Sequence, residues 1–170
     1  MTDNEKKILI DFNEGKISRE DFYNRFPIEI KKDNKYVIAQ IKEAIKSNNP
    51  KELNLSIDLI WLSGDFERYT DILNELIINP NHTQHQSITK TIQDIKSPKS
   101  VPYIRKALES NFDYLDYTCS DSDAIAKWFS WALASIGTND AIDLIKEYSN
   151  SPDEGIRNEM IYRLRRIENK

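Results

Sequence analysis

Cysteine, histidine and glycine are scarce in this chain of 170 residues, which holds one Cys, two His, four Gly and six Pro. A single cysteine excludes an intramolecular disulfide, and with only two histidines the usual Cys/His zinc frameworks are excluded too; both suit a reducing cytosol. There is no phosphate-cradling glycine loop, no Gly-x-Ser-x-Gly and no His-Glu-x-x-His, so no strong catalytic signature and no cofactor are expected. No apolar run approaches the ~18 residues of a membrane span, and "MTDNEKKILIDF" has charges where a signal peptide needs an apolar core. Positive charge is also in deficit: 24 Lys plus Arg stand against 28 Asp plus Glu, for a net charge of -4. The average surface therefore repels nucleic acid and anionic membrane. These absences lead to the expectation of one soluble, cytoplasmic domain over residues 1–170, a monomer on its own, binding neither membrane nor nucleic acid directly.

What is present is regular helix punctuation. Asn49-Pro50-Lys51-Glu52 places a cap, a proline at the first helical position and a glutamate at the third; Ser151-Pro152-Asp153-Glu154 has the same form, and Ser18-Arg19-Glu20-Asp21 a looser one. The spacing predicts helices over 2–13, 18–26, 34–47, 50–63, 66–78, 83–96, 100–110, 122–136, 139–149 and 153–168. Ile125, Phe129, Ala132, Leu133 and Ile136 share one face of a 3.6-residue period, as do Ile156, Met160, Leu164 and Ile167. No run alternates with period two, so the fold class expected is all-α.

The helices repeat. Ile95, Val101, Tyr103 and Ile104 match Ile136, Ile142, Leu144 and Ile145 at a constant offset of 41 residues, with a small polar turn after each isoleucine. A third copy, "LSGDFERYTDILNELI" from Leu62, has the same order with shifted spacing. One such pair cannot bury its apolar faces alone, whereas stacked pairs create a continuous core.

"ASIGTNDAIDLIKEYSNSPDEGIRNEMIYRLRRI", Ala134 to Ile167, resembles a HEAT-like repeat: an isoleucine-glycine turn, a helix, a proline-aspartate turn and a second helix with Arg157 where the family commonly has arginine. Met160 replaces the usual small alanine, and the earlier equivalents of Arg157 are Ala126 and His85. The resemblance implies a right-handed α-solenoid of antiparallel helix pairs over 49–170, preceded by an N-terminal helical cap over 1–48. In that cap, "ILIDFNEGKISREDFYNRFPIEI" looks like the amino-terminal hook that precedes helical repeats in small bacterial immunity proteins encoded beside polymorphic toxins. A second reading makes it a helical hairpin whose Phe12, Ile17, Phe22 and Phe26 close the open end of the array.

The most distinctive stretch is "NFDYLDYTCSDSDAIAKWFSW", residues 111–131. Between 109 and 123 there are five acids and no base. Asp121 and Asp123 have the one-apart spacing of a calcium loop, but the glycine and terminal glutamate of an EF-hand are missing; capping the helix near Ser122 is the alternative. His82 and His85 are close enough to share a helix face, without a third ligand nearby, and read otherwise as a turn residue and a helix-surface residue. Cys119 has no basic neighbour to activate it and reads as an inert or partly buried thiol. Trp61 is expected in the core. Trp128 lies on the flank of the 122–136 helix and Trp131 well off its core face, either exposed or filling the seam with the next repeat.

The functional expectation is a non-enzymatic immunity protein that binds a cognate bacterial toxin, a basic protein such as a nuclease, through Asp113, Tyr114, Asp116, Tyr117, Asp121, Asp123, Trp128 and Trp131. Acids and rigid aromatics together suit a basic partner; the bland alternative is a solvated loop with its tyrosines tucked under it. Two further readings are a general HEAT-repeat scaffold and a HEAT-like DNA glycosylase, which would need an aspartate, exposed tryptophans and a cationic cleft. Arg157, Arg163, Arg165 and Arg166 form the one basic cluster, with a simpler role in complementing the carboxyl end of the last helix.

Overall fold

In the computed structural model, which describes residues 1–110 and 112–169, capping chemistry fixes most helix starts. The Thr2 hydroxyl accepts from the Glu5 N–H and the Glu5 carboxylate accepts from the Thr2 N–H, opening α1 (Asp3–Asn13). Ser18 and Asp21 form the same reciprocal box ahead of α2 (Arg19–Arg25). Asp33 caps α3 (Asn34–Lys46), and Asn49 accepts from the N–H groups of Lys51 and Glu52 to start α4 (Pro50–Ser63). Gly64, at φ 80°, ends α4 in the left-handed conformation that a side chain resists. A 3-10 turn, Phe66–Tyr69, follows.

Contacts divide the chain into two compact units, Met1–Tyr69 and Thr70–Lys170. The division falls inside the span that the sequence pattern assigns to repeats. In the first unit α4 packs on both α1 and α3, and its apolar residues run nearly all the way round: Leu53, Ile57, Leu59, Ile60 and Leu62 are all buried. Phe22 and Phe26 are buried and stacked with ring centroids 4.9 Å apart, and Phe12 tilts against Phe22 at 5.4 Å. Trp61, expected in the core, is instead half-buried, its ring edge-on to Phe66 at 5.8 Å.

The second unit contains α5 (Thr70–Leu76), α6 (His85–Ile95), α7 (Val101–Glu109), α8 (Ser122–Ile136), α9 (Asn139–Tyr148) and α10 (Glu154–Glu168). Short 3-10 segments at Pro98–Ser100 and Asp113–Thr118 complete it. Thus the run predicted over 66–78 is a 3-10 turn followed by a short α-helix, and the run over 100–110 is preceded by another such turn. Alternate helices stack: α8 packs against α6 and α10, α7 against α9, and each of α5, α7 and α9 packs on the helix that follows it.

The 41-residue offset has a backbone counterpart. The N–H of Lys96 closes α6 onto Ile92 O at φ 58°, and the N–H of Gly137 closes α8 onto Leu133 O at φ 67°. The two helices therefore end with the same left-handed cap, one on lysine and one on glycine.

The predicted core face of α8 is buried at Ile125, Phe129, Ala132 and Leu133, with Ile136 half-buried. On α10 Ile156 and Met160 are buried, but Leu164 and Ile167 are only half-buried because Arg163 takes the interior position. Asp153, rather than Ser151, caps α10, accepting from the Ile156 N–H at 2.8 Å and from the Ser122 hydroxyl at 2.9 Å. Gly155 lets the first turns of α8 and α10 approach this closely: a Cβ there would sit 2.7 Å from the Asp123 nitrogen. Among the described residues there is no strand, and no helix is long and apolar enough to cross a membrane.

Candidate functional site

The residues picked out between 113 and 131 all lie in the second unit, but they do not form one surface. Between α7 and α8, Asp113–Thr118 forms a 3-10 helix. It is bracketed by left-handed residues, Phe112 at φ 66° and Cys119 at φ 51°. Phe112 is buried and stacks on Phe129 of α8 at 5.5 Å, and Leu115 is fully buried. These two apolar side chains pin the turn onto the core, while Asp113, Asp116, Asp121 and Asp123 remain exposed. Asn111 lies outside the described residues.

Both tyrosines of the turn face inward. The Tyr114 hydroxyl donates to Ile77 O at 2.8 Å, and the Tyr117 hydroxyl meets His85 Nδ1 at 2.9 Å. Burial raises both phenol pKa values, so they remain protonated donors at neutral pH. Tyr117 nevertheless keeps 42% of its surface exposed, whereas Tyr114 is half-buried.

Beneath them sit His82 and His85, which are buried, contrary to the expectation of a turn and a surface residue. Their rings stack at 3.9 Å. His82 Nε2 donates to Leu76 O at 2.8 Å and its Nδ1 accepts from the Gln84 N–H at 3.1 Å. His85 Nε2 donates to Asn79 O at 2.9 Å, which leaves Nδ1 to accept from Tyr117. All four ring nitrogens are engaged with the protein in neutral tautomers, so the pair is an anchor and not a half-built metal site. Burial, joined for His85 by the neighbouring His82 ring, depresses the two pKa values to about 4 and about 3. Among the described residues no three His, Cys, Asp or Glu side chains are grouped to hold a metal.

Asp121 stands at the N-cap of α8 but makes no capping hydrogen bond, and Asp123 lies in the first turn, where its charge complements the helix dipole. Cys119 is exposed rather than tucked in, because it terminates the 3-10 helix at the surface.

The tryptophans belong to a different feature. Trp128 and Trp131 line a groove of about 590 Å³ between α6 and α8, with Lys127 and Ala124 on their own helix and Gln86, Lys90 and Gln93 opposite. Trp131 is 45% exposed, and the Arg163 guanidinium lies 4.0 Å from its ring centroid. It thus packs on the neighbouring helix and still presents a face to solvent. Arg163 is itself buried, paired with Glu159 at 2.8 Å and donating to Ser130 Oγ at 3.2 Å; the Ser130 hydroxyl donates to the same Glu159 oxygen at 2.6 Å. This Ser130–Glu159–Arg163 network, invisible in the spacing, ties α8 to α10.

The four arginines read as one basic cluster are dispersed in role. Arg157 donates to the carbonyls of Ser151 and Pro152, Arg163 is interior, and only Arg165 and Arg166, in the last turn of α10, are exposed. Compared with known proteins, the chain matches no protein-family model, no curated protein and no solved structure.

Proposed function

We propose that this chain is a HEAT-like, right-handed solenoid protein that works without catalysis, as an immunity protein binding a cognate bacterial toxin in the cytoplasm. The alternate stacking of α6, α8 and α10 supports the repeat reading. The observation that carries the functional reading is the acidic stretch from the 3-10 turn into the first turn of α8. Asp113, Asp116, Asp121 and Asp123 are exposed around a backbone already fixed by Phe112, Leu115, Tyr114 and Tyr117. A surface ordered before the encounter avoids the entropy of ordering a loop on binding, and its charge accelerates capture of a basic partner such as a nuclease.

The glycosylase alternative draws on exposed Trp131, but among the described residues no carboxylate lines its groove, and Arg157 and Arg163 are committed to internal contacts. Protein binding is the reading better supported. Co-expression with the toxic domain encoded in the neighbouring reading frame tests it: a stable complex and surviving cells are expected, and the absence of both overturns it. Release of an alkylated base from DNA, abolished by Trp131→Ala, would establish the enzyme instead.

A further inference from the structure

The groove between α6 and α8 differs in chemistry from the acidic turn. Its aromatic wall is Trp128 and Trp131, three residues apart on one face of α8. Its opposite wall carries Gln86 and Gln93, neither of whose amides has a hydrogen-bond partner among the described residues, and Lys90, which is already paired with Asp94 at 2.8 Å. Lys127 has no ion pair among the described residues.

A glutamine amide offers one donor end and one acceptor end, matching what a peptide unit needs. Seven residues of helix separate Gln86 from Gln93, about 10.5 Å at 1.5 Å per residue. One edge of an extended chain repeats its N–H and C=O groups every second residue, about 6.8 Å. The N–H of one residue and the C=O two residues on lie about 9 Å apart along that edge, within reach of two flexible amides of which one accepts and the other donates. The tryptophans would receive its apolar side chains, and Lys127 a carboxylate.

From this juxtaposition we infer that the groove binds an extended, carboxylate-bearing peptide segment of a partner protein. The inference rests on the protein-binding reading above and adds a second contact of opposite charge on the same unit. A nucleic acid strand fits less well, because its phosphates need a series of uncommitted cations. The groove itself has one such lysine, the adjoining hollow that shares Trp131 adds only Lys96 and Arg166, and the chain as a whole carries a net charge of -4.

An array of peptides of about eight residues, long enough to cross the groove extended, tests this on the intact protein. Bound peptides are expected to carry Asp or Glu beside an apolar residue. Lys127→Glu, an exposed change that leaves the packing alone, should weaken them about tenfold or more and shift selection toward basic peptides. Gln86→Ala with Gln93→Ala should weaken binding whatever the peptide's charge. Reversing Asp113, Asp116, Asp121 and Asp123 to lysine should leave peptide binding intact, so failure of the acidic-surface reading and failure of this one are distinguishable. Acidic peptides bound no better than their lysine counterparts would overturn the inference, as would an oligothymidylate binding in their place. So would self-association abolished by Trp131→Ala, which would make a second copy of the chain the occupant.

Discussion

The 113–118 turn and the exposed face of α8 lie close together in sequence and share an aromatic-rich composition, yet they use their aromatics in opposite ways. In the turn, Tyr114 and Tyr117 direct their hydroxyls inward to Ile77 O and His85, and the acids are left outside. On α8, Trp128 and Trp131 line an open groove, and the charge beside them is positive. The difference lies in what is underneath. His85 gives Tyr117 a hydrogen-bond partner and the Ile77 carbonyl gives Tyr114 one, whereas a buried arginine gives Trp131 a cation to lie on. An aromatic residue in an acidic stretch is therefore not by itself an interface residue; its partner decides.

Removing the support on each side separates the two regions. The largest expected effect is on the groove side: Arg163→Ala leaves the part-buried Glu159 without its cation, removes a buried side chain and should destabilise the second unit by about 3 kcal/mol in denaturant titrations. By uncovering one face of the Trp131 ring to water it should also red-shift tryptophan emission, while leaving the turn's amide protection intact at matched stability. On the turn side, His85→Ala removes the ring that Tyr117, His82 and Tyr114 pack against. The expected cost is about 2–4 kcal/mol, with faster hydrogen exchange at 113–118.

Acidification sharpens the contrast further. His82 and His85 are held neutral in the fold, with pKa values of about 4 and about 3 against an ordinary 6.5. The unfolded chain therefore binds protons first. Their contribution to stability is complete above pH 6.5 and is lost as pH falls from there toward 4 and 3. Between pH 8 and pH 5 the denaturation midpoint should drop by an amount equivalent to up to about 2 kcal/mol per histidine. A His82→Asn, His85→Asn variant should lose that slope, although it will be less stable at every pH.

Smaller effects follow at the contact between α8 and α10 and at the surface. Gly155→Ala places a methyl group against the Asp123 backbone and should cost about 1–3 kcal/mol, read as a lowered melting temperature. Converting Asp113, Asp116, Asp121 and Asp123 to asparagine should leave the melting temperature within about 2 °C, since these side chains stabilise little where they stand.

Much of the scaffold was legible in the sequence because it is written in local chemistry. Asn49-Pro50 starts α4 where the motif places it, and 50–63 and 122–136 have the predicted bounds. Ile125 and Phe129 are buried because helical period alone decides their face. What spacing could not show depends on partners far away in the chain. Tyr117 meets His85 across 32 residues, and that contact turns two polar-looking histidines into an interior anchor. The 3-10 conformation of 113–118 follows from the same anchoring, with Phe112 stacked on Phe129. Arg163 enters the interior because Ser130 and Glu159 satisfy it, although its apolar neighbour Leu164 has the better helical register. The candidate site was thus legible as a set of residues but not as two surfaces.

The most direct test of the acidic stretch as a prebuilt capture surface is the association rate with the toxic partner proposed for it at low and high salt, for the wild type and for the Asp113, Asp116, Asp121 and Asp123 to lysine variant. The account predicts fast association that salt slows for the wild type and, in low salt, at least about tenfold slower association for the variant, whose reversed local charge makes its rate rise with salt. An equal rate for both proteins at low salt would contradict it.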